Sequence, residues 1–359
     1  MPSKTSSEPV ALGFPVPPPL TEDEAARVFA VRGCTRAALA LTRRHLLELD
    51  GVCSFNCVAA RSNCVCFSLC ACADATTLPA LQLREALKLS SLPADSPVAR
   101  FCTDACLCRY LRARGWDVVK AKKMLDATLT WRVSSGVDAL RFADVAAEAT
   151  TGKMTRLGCR DRKGRPVLLM RPRFENTRQP QGQIQFLIWN MESSYRSMSK
   201  GQGGPPLGAG SDLASEQLLI IVDFLDYSLR NAPPTKTSME TLHILLNHYP
   251  ERLGGAVLLS PPALFSVLWA MVQPFLDSRT TSKIHFIDPA TAAGQAKMQA
   301  LLDLPLLDAT LGGTGKEGRL PFDYKAYEAR VTEEERVWVA SEKKAASEAR
   351  ALQAEAEAA

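Results

Sequence analysis

The sequence has 359 residues, of which 46% are hydrophobic, and a net charge of +5 at neutral pH. This size suffices for one large domain or two. The small basic excess weakly favours an anionic partner such as a lipid surface, but it is too small to argue for nucleic acid, and no zinc-finger or recognition-helix pattern supports one. No run of 18 apolar residues predicts a transmembrane helix, and residues 1–20 lack the apolar stretch of a signal peptide. We therefore expect a cytoplasmic protein with mostly reduced cysteines.

The first 75 residues fall into three stretches of different composition. Residues 1–22 are rich in Pro and Ser, which is typical of a disordered arm. Residues 23–50 have apolar residues at helical spacing, interrupted near Gly33. Residues 51–75 contain a run of cysteines: Cys53, Cys57, Cys64, Cys66, Cys70 and Cys72.

The cysteine-rich stretch has three open interpretations. Zinc is conceivable because the thiolates exceed the four that a tetrahedral site needs, but Cys-x-Cys replaces the usual Cys-x-x-Cys and no His lies nearby. Reversible acylation is also compatible with the sequence. The third interpretation is a poorly ordered insert or a faulty gene prediction. We assign no metal ligand here.

Residues 80–135 have the apolar spacing of helices. Leu81, Leu83, Ala86 and Leu87 recur at helical intervals. A second helix is predicted from Pro97 through Arg114, where Gly115 ends it. Asp117 is a good N-cap for a third helix that runs to Val133.

The remainder of the chain alternates between predicted strands and helices. Residues 153–173 predict a hairpin, residues 180–199 a helix, residues 201–210 a mobile glycine-rich loop, and Leu218–Phe224 a buried strand. Further segments are a helix at 236–248, strands at 256–259 and 284–287, and an apolar helix at 263–276. This order predicts a mostly parallel sheet with helical crossovers. From about residue 330 the tail is predicted to be a charged helix, either solvated or frayed.

The helix at 263–276 stands out because apolar side chains occur on every side of it. Such a helix is either fully buried or lies against something other than water. It is too short to span a bilayer, which takes roughly 20 residues. A carboxylate, Glu251, precedes it and an ammonium group, Lys283, follows it.

An ordered set of motifs resembles the CRAL-TRIO (Sec-fourteen-like) lipid-binding family over roughly residues 100–325. The set comprises Arg109-Tyr110-Leu111-Arg112-Ala113-Arg114, Trp131-Arg132, Tyr249-Pro250-Glu251-Arg252-Leu253-Gly254, Pro274-Phe275-Leu276-Asp277, Ser282-Lys283-Ile284 and Leu311-Gly312-Gly313-Thr314. Asn231-Ala232-Pro233-Pro234 and His248-Tyr249-Pro250 resemble the yeast-type phosphatidylinositol transfer proteins within that family.

The resemblance implies an α/β fold, a CRAL-TRIO domain with a mostly parallel sheet flanked by helices, preceded by an all-helical N-terminal segment. The implied divisions are an arm with the cysteine-rich insert (1–79), the N-terminal helical segment (80–147), the lipid-binding domain (148–325) and a charged helical tail (326–359).

The resemblance also implies a function and its residues. The protein would bind phosphatidylinositol in an apolar pocket with a gate helix, and transfer it between membranes or present it. The headgroup would meet Lys283, Thr280 and Arg114, since lysine suits phosphate as a point charge. Glu251 would support the hinge. The gate residues would be Phe265, Leu268, Trp269, Met271 and Phe275. Arg109 and Arg112 are expected at the surface or in ion pairs.

This sequence departs from the family pattern at two places. Gly115 stands where the family usually has a lysine, which removes one headgroup contact. Leu218 and Ile220 stand where the founding yeast protein uses hydroxyl side chains to hold choline. Aliphatic groups cannot form those hydrogen bonds, so phosphatidylcholine is disfavoured and a sterol or other apolar ligand is an alternative cargo. A lipid-sensing regulatory or scaffold module is an alternative function.

The sequence offers little support for catalysis. Gly312–Lys316 is not a phosphate loop, because Thr310 and Glu317 stand where that motif needs glycine and Ser or Thr. None of the four histidines lies in a recognised catalytic motif. We therefore expect no enzyme and no cofactor other than bound phospholipid. The expected partners are that lipid, a transient membrane surface that the protein contacts peripherally, and a lipid kinase, with the chain as a monomer.

Overall fold

The computed structural model describes residues 77–93, 95–199, 216–228, 234–262, 265–276 and 278–358. The predictions for the arm, the 23–50 helix, the cysteine-rich stretch and the 201–210 loop therefore lie outside the described residues.

Five strands form one sheet in the described part of the chain: β1 (Met154–Arg160), β2 (Pro166–Met170), β3 (Leu218–Asp223), β4 (Leu253–Leu259) and β5 (Ile284–Ile287). Their order in the sheet follows the chain. β1 and β2 are antiparallel and join through the predicted turn at Gly164, whereas every other pair is parallel. The mostly parallel sheet and the predicted hairpin are confirmed.

The two faces of the sheet have different neighbours, because successive side chains on a strand point to opposite sides. Leu219 and Ile221 of β3 lie on one face, in a buried cluster with Val257 and Leu259 of β4 and with Met298 of helix α10 (Ala292–Leu301). Leu218 and Ile220 lie on the other face. That face is covered by helix α6 (Pro180–Ser199), helix α7 (Thr235–His248) and helix α8 (Phe265–Val272).

A separate helical segment precedes the sheet. It consists of α1 (Thr77–Ala86), α2 (Pro97–Phe101), α3 (Asp104–Ala113), α4 (Val118–Ser134) and α5 (Phe142–Ala149). The first four helices share a core that includes Leu83, Leu107, Leu111 and Leu125, each almost fully buried.

The predicted helix from Pro97 through Arg114 is wrong in one respect, since it is two helices. Cys102 and Thr103 separate α2 from α3, and the Thr103 hydroxyl accepts a hydrogen bond from the Cys106 amide at 3.3 Å. A threonine followed by an aspartate provides an N-cap and a favourable first-turn charge, so a new helix begins there. The predicted Asp117 cap is confirmed, with the Lys120 amide 2.9 Å from its carboxylate.

The tail is a long helix, α11 (Tyr324–Ala358), and the expectation that it is solvated fails for its first half. Tyr327 and Val331 are buried in the same core as Trp189 of α6. The Glu335 carboxylate accepts a hydrogen bond from the Phe142 amide at 3.2 Å. Farther along, the Arg196 guanidinium lies 3.7 Å from the centre of the Trp338 ring. The helix therefore contributes to the core. None of the described helices is long and apolar enough to cross a membrane.

The glycine-rich segment at 312–316 is a turn rather than a phosphate loop. It folds back so that the Gly315 amide donates to the Leu307 carbonyl at 2.5 Å, and the following Glu317 carboxylate accepts from the Gly158 amide at 2.8 Å. A Cβ on Gly313 would lie 2.2 Å from the Leu307 carbonyl oxygen. This turn closes the fold against β1.

Gly313→Ala is expected to reduce the free energy of unfolding by about 3 kcal/mol, because backbone carbonyls cannot move aside as a flexible side chain can. Urea denaturation measures the loss. Gly136→Ala is the control, because its Cβ would meet nothing within 4 Å and only its positive φ of 62° is unfavourable. That control should cost about 1 kcal/mol. Equal losses in the two variants would contradict the steric explanation.

Candidate binding cavity

A cavity of about 1460 Å³ lies between the α6–α8 face of the sheet and the surrounding helices. Its floor is a row of side chains that the strand register places side by side: Ile220 beside Ala256, and Ala256 beside Ile284. Val222 and Leu258 form the next row. The floor is apolar because every second residue of these strands faces the cavity.

The walls of the cavity are also apolar. They are formed by Phe186, Leu187 and Met191 of α6, Leu242, Leu245 and Leu246 of α7, and Phe265, Trp269 and Val272 of α8. The volume exceeds the roughly 300–1,000 Å³ of typical small-molecule pockets. The arrangement suits a large ligand with little polar surface.

Aromatic rings hold α8 against the sheet. The Phe265 ring lies 4.9 Å from that of Phe224, and the Trp269 ring lies edge-on to Phe286 with centroids 5.4 Å apart. Phe265 is buried, whereas Trp269 is only partly buried and Phe286 is 45% exposed. Helix α8 therefore rests on a small aromatic cluster at the edge of the sheet.

Cationic side chains of α3, α4, the short helix α9 (Ser278–Ser282) and the residues just after α3 and α9 line the cavity. They are Arg112, Arg114, Lys120, Lys123, Arg279 and Lys283. Thr280 and Glu251 line the cavity too. The sequence-predicted headgroup residues Arg114, Thr280 and Lys283 all line this one cavity, although they are far apart in the chain.

Two of these cations are partly held by backbone carbonyls. The Lys283 Nζ donates to the Leu253 carbonyl at 2.8 Å, and an Arg114 Nη donates to the Ala113 carbonyl at 3.0 Å. Burial lowers the pKa of Arg114. Both side chains line the cavity and are only partly buried.

The Tyr249–Arg252 segment connects the cavity to the helical segment. Glu251 has a φ of 59°, in the left-handed region that non-glycine residues rarely adopt, and its carbonyl accepts from the Gln217 amide at 3.4 Å. Strained residues of this kind are common where a binding site requires a particular backbone path.

Buried polar contacts fix that segment. The Tyr249 hydroxyl donates to Glu192 at 2.9 Å, and Arg132 contacts the same carboxylate at 2.8 Å. The guanidinium of Arg132 holds the pKa of Glu192 below its usual range despite burial, which alone would raise it. The Arg252 guanidinium lies 4.2 Å from the Tyr195 ring centre. Sequence analysis did not find Glu192 or Tyr195, since both are spaced as ordinary helix residues.

His248, just before this segment, stacks on Trp131 with ring centroids 4.2 Å apart. Its Nδ1 lies 3.1 Å from the Thr128 hydroxyl. Burial lowers the pKa of His248 to about 4 from 6.5, and the neighbouring His243 adds to the effect. The folded protein therefore favours the neutral imidazole.

His248 should make stability depend on pH. A group whose folded pKa is depressed stabilises the fold fully above its unfolded pKa of 6.5, and the contribution is lost as the pH falls toward 4. Urea unfolding of the wild type should thus show a larger loss between pH 7 and pH 5 than unfolding of His248→Asn. Equal losses would contradict this origin of the acid sensitivity.

The other predicted residues have different placements. Phe275 lies in a 3₁₀ turn after α8, is 55% exposed and lies away from the cavity wall. The side chains of Leu268 and Met271 are outside the described part, so their gate role stays a prediction.

Arg109 forms the expected ion pair, with Glu216 at 2.8 Å, but is buried. Arg112 contradicts the expectation, because it is buried and has no ion-pair partner among the described residues. No cluster of three His, Cys, Asp or Glu suited to a metal occurs among the described residues.

Comparison with known proteins decides the family. The sequence profile of the CRAL/TRIO domain matches residues 149–313, and that of the CRAL/TRIO N-terminal domain matches residues 82–127. The chain belongs to the CRAL-TRIO family. CRAL-TRIO proteins bind or transfer lipids, and the large apolar cavity agrees with that family property.

Relatives extend the CRAL-TRIO match. The phosphatidylinositol transfer protein PDR17 of Saccharomyces cerevisiae is 33% identical over 196 residues, which are 51% of this chain and 52% of PDR17. A CRAL-TRIO domain-containing protein of Schizosaccharomyces pombe is 30% identical over 252 residues, 67% of this chain and 22% of that protein. The chain thus spans about half or less of these curated relatives. The crystal structure of Sfh5 has the same fold, with a TM-score of 0.51 at 15% identity over 70% of this chain and 96% of Sfh5.

Proposed function

We propose that this protein binds phosphatidylinositol in the cavity and carries it between membranes or presents it to a lipid kinase. One observation carries the proposal: a cavity of about 1460 Å³ with a mostly apolar floor and walls is also lined by several cationic side chains. A phospholipid has the matching shape, with long apolar chains joined to an anionic headgroup. The similarity to PDR17, which is named a phosphatidylinositol transfer protein, independently supports this choice of lipid.

The apolar part of the cavity accounts for the acyl chains. Burying a CH₂ group is favourable by about 0.8 kcal/mol, so a chain does not leave a membrane into water at a useful rate. A cavity that encloses the chain during transit lowers this barrier. The floor residues Ile220, Val222 and Leu258 would contact the chains directly.

The cationic part accounts for the headgroup. We assign Lys283, Thr280 and Arg114 to the phosphate, because charge-assisted hydrogen bonds to phosphate are about twice as strong as neutral ones. Glu251 would hold the backbone path between the two sides of the site, consistent with its φ of 59°.

Helix α8 would act as the gate, with Trp269 moving from the cavity wall to the membrane surface. The contact of Trp269 with Phe286 is at the sheet edge and partly exposed, whereas opening would also separate the buried Phe265 from Phe224. Tryptophan is favoured at membrane–water interfaces. The protein would then associate with membranes peripherally and transiently.

A sterol is a second candidate cargo. Leu218 and Ile220 both line the cavity and offer no hydrogen bond to a choline headgroup, so the site disfavours phosphatidylcholine as an exchange partner. A fused-ring lipid needs no such bond.

Lipids that co-purify with the full chain should be identified by mass spectrometry, followed by transfer between vesicles. We expect phosphatidylinositol to be enriched over its abundance in the host and to be transferred. Phosphatidylcholine should be transferred poorly. Recovery of a sterol without phosphatidylinositol would favour the second cargo, and recovery of no lipid, together with no transfer, would overturn the proposal.

A further inference from the structure

Arg112 has an unusual environment for a buried cation. It lies near the end of α3, is only 7% exposed and lines the cavity. Its Nε and one Nη are shielded from solvent and have no hydrogen-bond partner among the described residues. Burying guanidinium nitrogens without hydrogen-bond partners costs free energy of folding. We therefore expect such an arrangement where the side chain has a function besides stability.

The other buried arginines that the structure describes show how this fold usually treats such a group. Each has a carboxylate within 4 Å: Arg109 with Glu216, Arg132 with Glu192, Arg156 with Glu334, Arg165 with Asp161, and Arg171 with Asp223. Arg112 is the exception, although it is one helical turn from Arg109. The missing partner is therefore specific to the position that faces the cavity.

The neighbouring charges leave Arg112 in need of an anion. Burial lowers its pKa, and the carboxylates of Glu251 and Glu216 offset this from a distance. Arginine stays protonated even so. Lys283 approaches the same backbone segment, since its Nζ bonds the Leu253 carbonyl, two residues beyond Glu251. Arg112 and Lys283 are thus both beside residues 251–253.

We propose that Arg112 binds an anionic phosphate group of the cargo. The phosphate would take the place of the carboxylate that pairs with each of the other buried arginines. The inference rests on the proposed function and adds a residue to its headgroup site. A guanidinium can hold two phosphate oxygens at once, which a lysine cannot. Arg112 would accordingly fix the orientation of the phosphate, and Lys283 would add charge.

The test compares Arg112→Met and Arg112→Lys with Arg109→Met in the full chain. Arg109 is on the same helix and equally buried, but is ion-paired. Binding is measured to phosphatidylinositol vesicles, to soluble inositol 1-phosphate and to cholesterol. Thermal unfolding of the lipid-free proteins is measured in parallel.

We expect Arg112→Met to weaken both phosphate ligands by about 10-fold or more, leave cholesterol binding unchanged, and keep or raise the melting temperature. Arg112→Lys should recover part of the loss. Arg109→Met should melt lower, because it leaves the largely buried side chain of Glu216 without its partner, and it should keep the preference for phosphate ligands.

Two outcomes would overturn the inference. Arg112→Met could bind phosphatidylinositol as the wild type does, in which case the lipid function stands and the Arg112 assignment fails. It could instead melt far lower and lose all three ligands equally, in which case Arg112 is structural. The wild type could also bind inositol 1-phosphate but neither lipid, and Arg112→Met could lose that binding. This result would support the anion site and refute the lipid function.

Discussion

Replacing both Lys283 and Arg114 with alanine is expected to lower phosphatidylinositol transfer about 100-fold while the protein stays folded. Each hydrogen bond to a charged group contributes roughly 1.5–3 kcal/mol, and the double variant removes at least two. Both side chains line the cavity and are only partly buried. Their removal should therefore affect the ligand more than the fold. Transfer between vesicles and thermal unfolding measure the two effects.

The matched control removes the same two charges far from the cavity. Arg336 and Lys344 lie on α11 with side chains 69% and 79% exposed. Their double alanine variant should transfer phosphatidylinositol at the wild-type rate. If the cavity variant and this control lose transfer equally, net charge rather than the site governs membrane encounter. Unchanged transfer in the cavity variant would refute the headgroup assignment.

Trp269→Asp is expected to reduce transfer on the order of 100-fold, with an unfolding midpoint close to that of the wild type. A carboxylate at membrane depth costs about 2.5–3.5 kcal/mol, so a gate carrying one would open poorly onto lipid. In water the substitution is tolerable, because Trp269 is only partly buried. Vesicle transfer and urea unfolding separate the effects.

Leu219→Asp serves as the comparison for that variant. Leu219 is fully buried on the sheet face away from the cavity, so an unpaired carboxylate there should cost several kcal/mol of stability. A Trp269→Asp protein that unfolds as readily as Leu219→Asp would show that α8 is core and that any gate lies elsewhere. Blue-shifted emission from Trp269, kept as the single tryptophan, should accompany addition of anionic vesicles. Emission that does not shift to the blue would likewise indicate that α8 is core and not a gate.

The sheet was predictable because its strands are short apolar runs between turn signals. The runs at Leu218–Phe224 and at 284–287 became β3 and β5 almost unchanged. The interruption at Thr103 was missed because apolar spacing continues across it, whereas the cap depends on one hydroxyl. The buried start of α11 was missed for a related reason. Tyr327 and Val331 are two of the few apolar residues in a highly charged stretch. They are buried only because the helix lies beside Trp189.

The candidate site was predictable only in part. The motifs indicated Arg114, Thr280 and Lys283, and the fold brings all three to the cavity. Arg112 could not be singled out, because sequence spacing does not show which arginines of a helix find a carboxylate partner. Glu192 could not be identified either, because its partners Arg132 and Tyr249 lie in distant parts of the chain.

The placement of α11 has a consequence for how the protein is synthesised. Glu335 contacts the Trp189 ring nitrogen across 146 residues, and Tyr327 and Val331 fill the same core. At roughly 5–20 residues per second, a ribosome takes about 7 to 30 seconds to make the intervening chain. Trp189 and Phe142 thus emerge long before their final neighbours, with apolar surface uncovered. Nascent chains paused before Tyr324 should therefore be the ones that chaperones retain.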